Sequence, residues 1–90
     1  MTSYLLTYDL NKEKDYGKLF AELERLGGHR TLYSVWLVAV DNTARELREH
    51  LTDYIDDDDS MWILEITNNN SYNNVRKGTN NWLKAHPPSR

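Results

Sequence analysis

The chain contains no cysteine. That excludes a disulfide framework and any thiolate metal site. No apolar run comes near the about 18 residues that a membrane-spanning helix requires. The start, Met1-Thr2-Ser3-Tyr4, lacks the basic flank of a secretory signal. The default expectation is a cytoplasmic protein with no membrane partner. A phosphate-binding glycine loop, a dinucleotide fingerprint and a Ser/His/Asp arrangement are all missing, as are internal repeats. The three histidines, His29, His50 and His86, have no metal-ligand spacing. Acids are missing from one part of the chain. Residues 1–65 hold all 14 acids and 7 of the 11 Lys and Arg, a net −7. Residues 66–90 hold Arg76, Lys77, Lys84 and Arg90 and no acid, a net +4. An acidic body argues against broad non-specific binding of nucleic acid. The basic tail is either a solvated extension or a source of phosphate contacts that the body lacks.

At 90 residues, the chain makes one small domain with a modest core. Residues 4–10 are apolar on both strand faces, with Tyr4, Leu6 and Tyr8 on one and Leu5, Thr7 and Asp9 on the other. That pattern suits a central strand. Residues 15–26 predict a helix with Tyr16, Leu19, Phe20, Leu23 and Leu26 in one stripe, Asn11 or Asp15 as its cap, and Gly27-Gly28 as its end. Residues 30–40, rich in β-branched and aromatic side chains, predict two strands joined by a very tight turn at Tyr33-Ser34. Thr43-Ala44-Arg45-Glu46 fits a capping box, opening a helix that buries Ala44, Leu47, Leu51 and Tyr54. Asp56–Asp59 forms an acidic turn, lacking the spaced ligands and glycine of a calcium loop. Residues 60–67 alternate as a last strand.

The order β-α-β-β-α-β predicts an α+β, ferredoxin-like antiparallel sheet with two helices on one face. The opposite face would carry Leu5, Thr7, Met61 and Ile63, too apolar to leave wet, so a homodimer burying it is expected. Residues 1–67 would form this domain. Residues 68–90 would be an Asn-rich, basic extension that docks through Trp82 and Leu83.

Two short segments carry the candidate chemistry. Tyr8-Asp9 closes the first strand, and Arg30-Thr31-Leu32-Tyr33-Ser34-Val35-Trp36 follows the first helix. A strand-end carboxylate such as Asp9 either caps the following loop or holds a hard divalent cation. Arg30 either pairs with a nearby acid or grips a phosphate. Ser34 sits in a turn. Trp36 either fills the core or stacks on a base. His29, beside Arg30, is either structural or a proton carrier.

The strand ending in Tyr8-Asp9, the helix ending in glycine, the run Arg30…Ser34-Val35-Trp36 and a last strand entered through Asp59-Ser60 resemble the CRISPR-associated protein 2 family over residues 4–67. The resemblance implies a homodimer in which the two Asp9 carboxylates face each other and hold Mg²⁺ or Mn²⁺. Asp9 is then the metal ligand and, with Tyr8, a catalytic candidate. Arg30, Ser34 and Trp36, joined by Arg76 and Lys77 of the tail, are the nucleic-acid-binding candidates. Two activities are implied by different members. One is metal-dependent cleavage of RNA or DNA. The other is a non-catalytic adaptor that binds nucleic acid and an integrase partner during spacer acquisition. This chain has Leu32 where the family commonly has Gln. It has only Lys12, Lys14 and Lys18 where arginines commonly follow the aspartate. Virulence-associated protein D, a toxin ribonuclease, is similar at a greater distance.

Overall fold

The computed structural model describes residues 1–10 and 16–90. Strand β1 (Thr2–Asp9) is followed by helix α1 (Gly17–Arg25), strand β2 (His29–Leu32) and strand β3 (Val35–Val40). Helix α2 (Ala44–Leu51) runs into a 3₁₀ turn at Thr52–Tyr54, and strand β4 (Ser60–Glu65) and helix α3 (Thr79–Ala85) complete the chain. The strands make one sheet in the order β2-β3-β1-β4 with every neighbouring pair antiparallel. This is the ferredoxin-like α+β arrangement.

β1 lies between β3 and β4, as its two apolar faces require. On one face Tyr4, Leu6, Tyr8, Trp36 and Val38 meet Leu19 and Leu23 of α1 and Leu47 and Leu51 of α2. Leu6, Leu19, Leu23 and Leu51 have no exposed surface at all. The proposed helix caps Asn11 and Asp15 lie outside the described residues. At the other end of α1, Gly27 takes the left-handed conformation at φ +77 and turns the chain toward β2. A Cβ on Gly28 would stand 2.8 Å from the Leu23 carbonyl and 3.1 Å from that of Leu37, so the close approach of α1 to β3 needs a bare backbone there. The two-strand reading of residues 30–40 holds, with Tyr33-Ser34 as the turn and a register irregularity between Arg30 and Leu32. Thr43 and Glu46 make the reciprocal bonds of a capping box at α2.

One acid is buried on the helical layer. Glu22, 5 % exposed, takes two bonds of 2.6 Å from Arg25 and one of 2.5 Å from His50 of α2. The Arg25 hydrogen bond first, and the His50 bond second, hold its carboxyl down from 4.5 to about 2. This ties α1 to α2. His50, expected on the surface amid charges, remains 45 % exposed while doing so.

The face assignment of β4 needs correction. Ile63 registers with Leu6 and Met61 with Tyr8, and both pack against the helix-side core. Trp62 registers with Thr7 and Leu64 with Leu5, so these two occupy the opposite face. A shift of one residue in register exchanges the faces of an entire strand, and alternation alone leaves that choice open where both sets are apolar.

α3 covers part of that opposite face. The Trp82 indole donates to the Gly27 carbonyl at 2.9 Å, and Ser3 Oγ donates to the His86 carbonyl at 2.7 Å. Arg76 N–H donates to the Thr31 carbonyl at 2.9 Å, pairing the tail with β2. Ser3, Leu37 and Ala39 are consequently buried, whereas Trp62 and Leu64 stay exposed.

Candidate functional site at the end of β1

Asp9 ends β1 opposite Ser60, the first residue of β4. Ser34 is brought alongside from the other flank, because Tyr8 N–H donates to its carbonyl at 3.3 Å. Three strand ends therefore meet. They enclose a shallow depression of about 420 Å³ whose lining includes Thr7, Asp9, Ser34, Ser60 and Trp62. The Asp9 carboxylate is exposed and has no hydrogen bond or ion pair to any of the described residues. Two hydroxyls flank it. No Lys or Arg is among the residues lining the depression.

The other candidates fall into separate places. Tyr8 points to the helix side, 8 % exposed, with its ring 5.9 Å from Phe20 and its hydroxyl donating to the Tyr33 carbonyl at 3.4 Å. Arg30 donates to the same carbonyl from Nε at 3.0 Å and Nη2 at 2.5 Å. Its guanidinium lies 4.8 Å from the Phe20 ring centre and 5.2 Å from that of Tyr33. Tyr8 and Arg30 thus pin the β2–β3 turn that carries Ser34. Trp36 is 3 % exposed and stacked on Phe20 at 5.8 Å, so it occupies the core and offers no free ring face. Its Nε1 has no hydrogen-bond partner among the described residues. Arg76 and Lys77 are exposed beside the β2 edge, outside the depression.

The acidic turn has its own explanation. Carboxylate oxygens of Asp56, Asp58 and Asp59 lie within 4.8 Å of one another. Asp59, however, accepts from the Asp56 N–H at 2.9 Å and from the Tyr16 hydroxyl at 3.5 Å, while its own N–H donates to the Asp56 carbonyl at 3.0 Å. These are turn-closing bonds that lead the chain into Ser60. His29 is held structurally, its Nε2 3.2 Å from Thr79 Oγ1. Ser60 and Trp62 are the site residues that sequence reasoning missed. Their alternating strand pattern was visible, but their place beside Asp9 depends on the β1–β4 register.

The family model for CRISPR associated protein Cas2 matches residues 1–75. The chain belongs to that family. Membership gives this Cas2 protein a CRISPR-associated role, and the match takes in Asp9, Ser34, Ser60 and Trp62 while ending before α3. No solved structure matches the chain. No helix among the described residues is long and apolar enough to cross a membrane.

Proposed function

We propose that this Cas2 protein is a homodimeric, divalent-metal-dependent nuclease that hydrolyses phosphodiester bonds of RNA or DNA at Asp9. The exposed, unpartnered carboxylate at the rim of the open sheet face carries this reading. The donor set suits Mg²⁺ or Mn²⁺, which favour carboxylate and other hard oxygens and commonly take one or two carboxylates with water. One chain offers one carboxylate, and a two-fold axis beside β1 supplies the second. A cation so held would polarise the phosphate and acidify a water nucleophile. Ser34 and Ser60 would donate hydrogen bonds to phosphate oxygens, and Asp9 would fix the geometry. The test is cleavage of labelled RNA and duplex DNA by wild type and Asp9→Asn, with Mg²⁺, Mn²⁺ or EDTA. Cleavage abolished by EDTA and by the substitution, with the dimer intact, is the expected result. Cleavage indifferent to Asp9→Asn overturns the assignment.

A second reading, a non-catalytic adaptor dimer that binds nucleic acid or an integrase partner, is favoured by one observation. No cation lines the depression, and Arg30 is turned to the Tyr33 carbonyl instead of toward Asp9. Developing negative charge would lack an Arg or Lys to stabilise it. In that reading Arg30, Arg76 and Lys77 supply phosphate contacts. Replacing Arg76 and Lys77 by Ala would then lower the salt slope of binding by about 2 units. An unchanged slope removes the tail from the interface.

A further inference from the structure

An exposed knob stands beside a hole on the open sheet face. Trp62 is 70 % exposed, and a covered indole of this kind buries about 150–250 Å². Next to it, between the sheet and the C-terminal segment, lies an apolar cavity of about 380 Å³ lined by Leu5, Val35, Leu37, Leu64, Val75 and Leu83 among others. Leu32 and Leu64, 42 % and 44 % exposed, mark where this lining meets solvent. Within one chain the knob cannot reach the hole's floor at β3. Trp62 and Val35 both register with Thr7, one from each side of β1.

That symmetry about β1 identifies the occupant. A two-fold axis running along β1, parallel to the sheet, lays β4 of one copy over β3 of the other. It sets each Trp62 above the partner's cavity. The same axis brings the two Asp9 carboxylates face to face, because Asp9 lies at the end of β1. Charge agrees with it. The axis lays the β2 edge of one copy, with Arg76 and Lys77 paired against it, outside the β4 of the other, where the turn Asp56–Asp59 opens. A basic segment thus faces an acidic one across the interface.

We propose that Trp62 of each subunit inserts into the cavity of the other, and that these two reciprocal insertions set the alignment of the Asp9 pair. This rests on the homodimer proposed above and names what holds it. An isologous interface uses each contact twice, so one substitution removes both indoles. Buried aromatic anchors of this type dominate interface energetics.

The test is sedimentation equilibrium of wild type and Trp62→Ala, with circular dichroism to verify the fold, joined to disulfide trapping. The chain has no native cysteine to confuse the trapping. Strands two apart in a sheet lie about 10 Å from each other, beyond disulfide reach, so a Val35→Cys/Trp62→Cys variant can bridge only between subunits. Dimer dissociation weakened at least about thirtyfold in Trp62→Ala, and a covalent dimer in the double variant but in neither single one, are the expected results. An unchanged dissociation constant overturns the proposal. So does failure to cross-link at concentrations where the double variant sediments as a dimer, and either result leaves the homodimer standing. A monomeric wild type instead overturns the homodimer and this proposal with it.

Discussion

Thr79, at the start of α3, gathers the bonds that fasten the tail to β2. Its hydroxyl is 2.7 Å from Thr31 Oγ1, 3.2 Å from His29 Nε2 and 2.7 Å from the Arg76 carbonyl. A hydroxyl has one proton and two lone pairs. All three bonds are satisfied when Thr79 donates to Arg76 while Thr31 and His29 donate to Thr79, which fixes the proton of a neutral His29 on Nε2. Thr79 and Thr31 are 3 % and 4 % exposed, so water cannot replace a lost partner. Thr79→Val keeps the volume and removes the hydroxyl. At about 1 kcal/mol for each net hydrogen bond, the expected loss is roughly 3 kcal/mol. In a domain of this size that lowers Tm by about 12–24 °C. The global loss is capped by the free energy of docking α3, because a chain that has released α3 no longer carries the defect. Two readouts therefore belong together. Urea denaturation gives the global value. Amide exchange at Trp82 and His86, whose N–H groups bond within this helix, gives the local one. Thr79→Ser should restore both. A Thr79→Val protein within about 0.5 kcal/mol of wild type and with unchanged exchange at Trp82 would refute the reasoning, since one buried hydrogen bond alone is worth that much.

Glu22 makes stability depend on acid pH. Its folded value of about 2 lies below the ordinary 4.5, so its contribution is complete above pH 4.5 and declines as pH falls from there toward 2. Urea midpoints between pH 2 and 6 should show this decline in wild type and a shallower one in Glu22→Gln; parallel curves would deny Glu22 the role. Gly28→Ala should destabilise by about 1–3 kcal/mol, an overpacking cost, because its Cβ meets two backbone carbonyls and not flexible side chains. A neutral result in thermal denaturation would mean that α1 and β3 can separate without cost.

Local signals carried most of the fold. The α1 stripe, the capping box at Thr43 and the glycine pair at 27–28 each encode their element within a few residues, and each is present in the structure. The tight turn at Tyr33-Ser34 has no glycine, and its stability comes instead from Tyr8 and Arg30 bonding the Tyr33 carbonyl. What was illegible depends on distant partners. Met61 and Trp62 alternate in an apolar strand, and only pairing with β1 decides which one faces the helices. Glu22 is buried because His50, 28 residues on, and Arg25 surround its carboxylate. The docking of α3 rests on contacts from Thr79 to His29 and Thr31 and from Trp82 to Gly27, all about fifty residues apart in sequence. Asp9 was identifiable as a strand-end acid, whereas its neighbours Ser60 and Trp62 come from the opposite end of the domain.

The central claim is that one metal ion is shared between the Asp9 carboxylates of two chains. Calorimetric titration of Mn²⁺ into purified wild type and Asp9→Asn tests it most directly. The account predicts one ion per two chains for wild type and none at the same concentrations for Asp9→Asn. One ion per chain, or binding that survives Asp9→Asn, would contradict it.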